Sequence, residues 1–432
     1  MKVPMPDFDV VVVGKGLFGT AAARHIALSG RKVLLLGPGE PAQSIGHLGV
    51  FSSHYDDRRI VRTTARDLTW AKLTQRSIAA YESLQEQTNI RFYHRHPGAH
   101  LVQQGQASVF LTALRDLLPR LDTQITPLPN THAIQTIIPS LTGAVEAAGF
   151  IEHGRAGYLE PRRLIQAQAK AFLAAGGSLM DDIVDSLAWA SGTWSVHTRK
   201  LGSIRASQVL VATGAYANSP GLLPQPLDLR VKSEHVLMVE VQGLSGTAAL
   251  DFPSLVFERV DGPLSDFYLT PPQATIEGSY RIKMGCNTSY DTFLPDIDAI
   301  NQWMRTPMIE TVHQTLLGGF RRLFPGLQIQ RSEGKKCIVT YTPKTLPMIG
   351  EVADSLFVVT GGNGMGAKAS DAIGELAAQA VCGDLATHEL YVPGMQPAFM
   401  PEHADDRKFS MRGMSRNVDA GIQANPSIAG KG

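Results

Sequence analysis

Cysteine is scarce in this chain. Three residues, Cys286, Cys337 and Cys382, stand among 432, too few for a disulfide framework and a usage typical of reducing compartments. An excess charge of one sign is also missing. Charged residues make up 18% of the sequence and balance to a formal +1, so no acidic or basic field points to nucleic acid or an anionic membrane. No apolar run approaches the ~18 residues of a membrane span, and no repeat of about 20 to 50 residues recurs. The first strand-like run begins within about ten residues of Met1, which leaves no room for a signal peptide. A cytoplasmic protein with a small-molecule partner is the expectation, as a monomer or small homo-oligomer. What the chain has is apolar content: 44% hydrophobic residues, enough for a large core and two domains.

The most informative stretch runs from Phe8 to Leu36. An apolar run (Val10 to Val13) leads into Gly14-Lys15-Gly16-Leu17-Phe18-Gly19, then a segment rich in alanine up to Ser29, then Gly30 and a second apolar run (Val33 to Leu36). That is strand, glycine turn, helix and strand. Gly14 permits the tight turn, Gly16 lets the backbone approach a pyrophosphate, and Gly19 lets helix and strand pack closely. The diphosphate then meets the free N–H groups and positive dipole end of the helix. GxGxxG is weak evidence alone, but here it sits in the context the motif requires. One part of the fingerprint is absent. The second strand should end in an acidic residue for the ribose, about 20 residues beyond the glycines, and this chain has Gly37, with Glu40 placed to reach the ribose from the loop.

Further along, the polar loop Gly46 to Arg62 separates core elements, and Thr69 to Gln87 carries apolar residues at helical spacing. Phe92 to Val102 reads as strand, Ala107 to Leu118 as helix, and Arg162 to Ala175 as a helix entered through Pro161. Strand-like runs at Ser186 to Trp189 and Trp194 to Thr198 precede Gln208 to Ala215, an apolar run ending in Ala212-Thr213-Gly214 that reads as a return to the nucleotide sheet. From about Leu229 come consecutive strands without helices between them, the signature of an antiparallel layer. A helical stretch, Ile297 to Leu323, follows, then strands at Lys335 to Thr340 and Leu356 to Thr360, the loop Gly361 to Gly366 and a helix carrying Lys368. The tail beyond about Leu390 is weakly periodic.

Taken in order, these features resemble the sarcosine oxidase-like branch of the D-amino acid oxidase family of FAD-dependent oxidoreductases. The resemblance rests on Gly14, Gly16, Gly19, Ala23 and Gly30, the Ser53-to-Arg62 loop, the Gly157-to-Pro161 turn, Ala212-Thr213-Gly214, Ile282-Lys283-Met284-Gly285, Cys337 and the Gly361-to-Lys368 segment. It implies an α/β (α+β) fold: a Rossmann-like FAD-binding domain with a discontinuous parallel sheet (1–90, 155–228, 336–390), a substrate domain with a mainly antiparallel sheet (91–154, 229–335), and a tail (391–432). It implies FAD linked through Cys337, contacted by Gly14, Gly16, Leu17, Phe18, Gly19, Gly37, Glu40, Ser53, Arg59, Val184, Ala212, Thr213, Gly214, Gly362, Gly364, Met365, Gly366 and Lys368. No metal is implied. Lys283 matches a lysine near flavin N5 that promotes reaction with oxygen, Arg62 and Lys368 match two cations that hold a substrate carboxylate, Arg59 matches an arginine near the flavin ring, and His54 is a further catalytic candidate. Asp56 and Asp57 read as loop hydrogen-bonders.

Two departures fall on the substrate pocket: Asn287 where the sarcosine enzymes have histidine, and Val339 where they have tyrosine. Sarcosine is therefore a doubtful substrate, and a bulkier or cyclic secondary amino acid, or another amine carrying a carboxylate, fits better. The implied reaction is oxidation of a C–N bond to an imine, with oxygen reduced to peroxide. The alternatives are a dehydrogenase handing electrons to a quinone or protein, and a flavin-binding subunit without chemistry. An NAD-dependent reductase is disfavoured because no second βαβ unit with its own GxGxxG is evident.

Overall fold

The computed structural model describes residues 6–65, 67–105, 109–143, 146–242, 250–383 and 385–402. Two large sheets organise it. The first is built on the strand Phe8–Val13, whose valines are buried on both faces, as a central parallel strand requires. It pairs in parallel with Val33–Leu36 on one side and Gly202–Val211 on the other, and the latter pairs in parallel with Leu356–Thr360. Three separated pieces of chain thus form one sheet. The antiparallel strands Val184–Ala190 and Thr193–Thr198 extend one edge, and Ser178–Met180 lies beside Val33–Leu36 on the other. Helix Leu17–Leu28 packs on this sheet and against helices Pro161–Ala174 and Ser370–Cys382, which lie on the sheet beside it. Its small residues Ala21, Ala22 and Ala23 are wholly buried there.

The second sheet has ten strands and is mainly antiparallel. Its long members are Arg230–Gln242, Ser279–Thr288 and Ile329–Tyr341, with Arg230–Gln242 between the other two. Ser254–Asp261, Leu264–Leu269, Gly98–Gln103 and Ala147–Glu152 complete its other half. Strict alternation sorts the side chains. Leu237, Val239, Ile282, Met284, Leu255 and Phe257 enter a core with helix Glu310–Leu323, leaving the intervening residues for the opposite face. Ile329–Tyr341 pairs with Arg230–Gln242 along its length, so Cys337 belongs to this sheet and the chain stays in it past residue 336.

The helical stretch expected over Ile297 to Leu323 is two helices, Ile297–Arg305 and Glu310–Leu323. Pro307 explains the break: it disfavours helical geometry at Thr306, which is extended (ψ 143°). Asp296 caps the first helix by accepting from the Ala299 N–H at 2.8 Å. Helix Leu68–Thr88 covers the expected Thr69 to Gln87 and is capped by Asp67. Ala107, the expected start of another helix, and tail residues 403–432 lie outside the described residues. Among the described residues, no helix is long and apolar enough to cross a membrane.

Candidate active site

The glycine turn works through close approach. A Cβ at Gly19 would fall 1.8 Å from the Gly14 oxygen. Gly14 itself has φ +113°, and a Cβ there would lie 2.5 Å from the Ala212 oxygen. Helix and strands therefore meet at distances that only glycine allows. Gly16 opens the helix with no side-chain cap, leaving its first N–H groups facing outward. Gly37 also has a physical reason: a Cβ there would sit 2.9 Å from the Lys15 nitrogen, so an acidic residue would displace the glycine loop. Lys15 instead pairs with Asp181. Glu40 is gripped at both carboxylate oxygens by Arg162, at 2.5 and 2.6 Å, and Arg162 also donates to the Tyr55 carbonyl.

One cavity of about 810 Å³ runs from this turn to the ten-stranded sheet, toward the upper end of the ~300–1,000 Å³ common for ligand sites. It is lined by Gly14, Gly16, Leu17, Phe18, Gly37, Glu40, Ser53, His54, Arg59, Arg62, Val184, Ala212, Thr213, Gly214, Cys337, Gly362, Gly364, Met365, Gly366 and Lys368. Of the candidate catalytic and cofactor-contacting residues, Gly19 and Lys283 are not on the lining. Gly19 shapes the turn from behind, and Lys283 stands behind Asp56.

The Ser53-to-Arg62 loop ends in a short strand, Arg59–Val61, pinned against Gly157–Leu159. It assembles the charged centre. Asp56 is buried between two cations, pairing with Arg59 and with Lys283, whose Nζ lies 2.6 Å from Oδ2. Burial alone would raise the Asp56 pKa, but Arg59 and Lys283 outweigh it and hold the value at about 2. Lys283 also donates to the Arg58 carbonyl at 2.8 Å, and burial with the nearby Arg59 lowers its pKa. Arg59 donates to the Ser53 carbonyl at 2.7 Å and lies 3.9 Å from the Cys337 Sγ, which itself lies 3.2 Å from the same carbonyl. Burial and Asp56 push the Cys337 thiol up to about 12. Burial and Arg59 press His54 down to about 4, so its imidazole is neutral near pH 7 and carries no acidic proton of use there.

Lys368 lies in the single turn Gly366–Ala369 ahead of helix Ser370–Cys382. Its Nζ donates to the Arg62 carbonyl at 3.0 Å, and burial together with the Arg62 charge lowers its pKa to about 7. Arg62 donates to His100 Nδ1 at 2.6 Å, and His100 Nε2 donates to Glu258 at 2.8 Å. His100, Glu258, Glu234 and Asp266 are cavity-side residues that the sequence reading missed. Their signal was a charged or polar residue alternating with apolar ones in a strand, which marks a polar sheet face without saying what it faces.

Similar proteins identify the family and the cofactor it depends on. The sequence pattern of DAO, the FAD dependent oxidoreductase family, matches residues 9–380. The chain belongs to that family. It is 23% identical over 391 residues to monomeric sarcosine oxidase of Bacillus sp. (strain B-0618), covering 89% of this chain and 95% of the relative. Among solved structures, its fold is similar to the open form of NikD, described as an unusual amino acid oxidase essential for nikkomycin biosynthesis (TM-score 0.73, 18% identity, 92% of this chain and 100% of that one). It is also similar to glycine oxidase from Geobacillus kaustophilus (TM-score 0.68, 18% identity, 92% and 99%). The enzyme is an FAD-dependent oxidoreductase.

The residues of this FAD-dependent oxidoreductase suit its cofactor. The uncapped helix start at Gly16 offers N–H donors to a diphosphate. The Thr213 hydroxyl, on the cavity lining, is buried and has no partner among the described residues, as expected of a group that bonds a bound molecule.

Proposed function

We propose that this chain oxidises the C–N bond of a carboxylate-bearing secondary, N-methyl or cyclic amino acid to an imine. In this reading FAD is held through a Cys337 thioether, and oxygen is the acceptor, leaving as hydrogen peroxide. The observation that carries it is the meeting of Arg62, Lys368 and Cys337 on the lining of a cavity that begins at the dinucleotide turn. FAD supplies the hydride acceptor; the remaining work falls to the chain. Arg62 and the protonated Lys368 bind and orient the substrate carboxylate. Arg59, fixed by Asp56, keeps positive charge beside the Cys337 sulfur and so favours its thiolate against the burial that opposes it. Val339, in place of a larger side chain, widens the cavity.

Acid precipitation of the purified enzyme tests the linkage: yellow pellet and colourless supernatant are expected, and the reverse removes Cys337 from its role. A peroxide-coupled screen of N-methyl and cyclic amino acids tests the reaction. A second reading, electron transfer to a quinone or protein, draws support from Lys283, which stands off the cavity lining with its ammonium engaged by Asp56. Substrate-dependent reduction of an artificial acceptor without peroxide would establish it.

A further inference from the structure

The wall that the ten-stranded sheet presents to the cavity is acidic. Glu234, Asp266 and Asn287 line it, on adjacent strands and on the face opposite the apolar core. They are joined through one cation. Lys232 Nζ lies 2.7 Å from Glu234 and 3.0 Å from the Asn287 oxygen, and the Asn287 amide nitrogen donates to Asp266 at 3.0 Å. The result is a hydrogen-bonded chain with a carboxylate at each end.

The cation in the middle is turned away. Lys232 is 0% exposed, is absent from the cavity lining, and is shared with Asp291 at 2.9 Å on its far side. A molecule in the cavity therefore meets the two carboxylates and the amide and does not meet the lysine. Asn287 is bonded at both ends, so it sets the two carboxylates in place. An ionised carboxylate accepts at about four positions, so Glu234 can accept from a ligand in the cavity besides Lys232. Burial, and then Asp291, raises the Glu234 pKa, and a positive group arriving in front of it would relieve that cost.

From this geometry we infer that the substrate carries a second cationic group, an ammonium or guanidinium on its side chain or N-substituent, which lies against Glu234 and Asp266. The inference rests on the proposed amino acid oxidation and narrows its substrate class to dibasic amino acids. The reacting amine itself is a poor occupant for this wall. It must be neutral to release hydride, and a carboxylate beside it would hold it charged.

The test is anaerobic flavin reduction, in the holoenzyme, by two N-methyl α-amino acids of equal chain length, one ending in an ammonium and the other in a methyl group. The cationic compound is expected to reduce the flavin at least about tenfold more efficiently, as rate over dissociation constant, with the advantage shrinking in high salt. Glu234→Gln and Asp266→Asn should each cut that ratio severalfold. Reduction by both compounds with a ratio near one, or one favouring the methyl compound, overturns the inference while leaving amino acid oxidation standing. Reduction by neither of them, nor by any N-methyl or cyclic amino acid, overturns both. The wild-type ratio decides the matter even if a variant fails to fold.

Discussion

The two sheets build their halves of the site by different means. The central strands of the parallel sheet are apolar on both faces, and what they offer a ligand is mainly backbone, in glycine turns, strand ends and an uncapped helix start, with the Thr213 hydroxyl beside them. The ten-stranded sheet is apolar on one face only, and it offers side chains: Cys337, Glu234, Asp266, His100 and Glu258. Backbone sites tolerate almost no change in bulk, because the close contact is the site. Side-chain sites tolerate changes in bulk but depend on charge and hydrogen bonding, because each member is held by a polar or charged neighbour.

The largest effect should follow from adding bulk to the backbone half. Gly19→Val places a side chain where even a Cβ falls 1.8 Å from the Gly14 oxygen, and overpacking against backbone costs about 3 kcal/mol or more. Purified protein, if any is soluble, should contain almost no flavin by absorbance. A full complement of FAD would break the contrast between the two halves.

Next comes removal of charge at the seam. Asp56→Ala strands Arg59 and Lys283 in a buried site, and breaking a buried pair costs about 3–5 kcal/mol. Denaturant unfolding should show the loss, with Asp56→Asn milder. The folded pKa of about 2 lies below the ordinary 3.8, so the carboxylate's contribution is fully present above about pH 4. It is lost as pH falls through about 2. An Asp56→Ala variant as stable as the parent would show that the cations do not need this partner.

Lys368 should give a smaller effect, seen in binding. Its pKa of about 7 means that its charge is leaving near neutrality. Affinity for the substrate carboxylate should fall as pH rises above about 7 in the free enzyme, visible as a basic limb in kcat/KM. Lys368→Met should abolish that limb and raise KM by about 10–100-fold, the range for a charged hydrogen bond of about 1.5–3 kcal/mol. The sign for stability is opposite. The folded pKa lies below the ordinary 10.5, so the cost of burying the charge is relieved as pH rises from about 7 toward 10.5. A flat profile in both quantities would place the substrate carboxylate elsewhere.

The same contrast explains what could be read from the sequence. The parallel sheet was legible, including its three separated pieces, because motif and apolar run are local and the strand order follows from them. The antiparallel layer was legible as a layer. Its site was not, because the approach of Glu234 to Cys337 depends on the register of two strands about 100 positions apart (Glu234 opposite Cys337), and no local pattern encodes register. The break at Pro307 was visible in the sequence, and helical periodicity on either side of it masked it.

The smallest effect should be at Glu40, on the loop after Gly37, where the dinucleotide fingerprint lacks its acidic residue. Glu40 sits near enough to line the cavity, but both its oxygens are held by Arg162, and the two side chains remain 34% and 40% exposed. An exposed pair contributes about 0–1 kcal/mol, so Glu40→Gln should shift the unfolding midpoint only slightly. Its effect on FAD retention depends on which end of the cofactor does the holding. If Cys337 anchors the flavin, Glu40→Gln should lose no FAD on dialysis, and the same substitution in a Cys337→Ala background should lose it measurably faster than Cys337→Ala alone. Equal loss from Cys337→Ala with and without Glu40→Gln would mean that Glu40 serves only to hold Arg162 against the Tyr55 carbonyl, and that the glycine turn alone holds the adenine half.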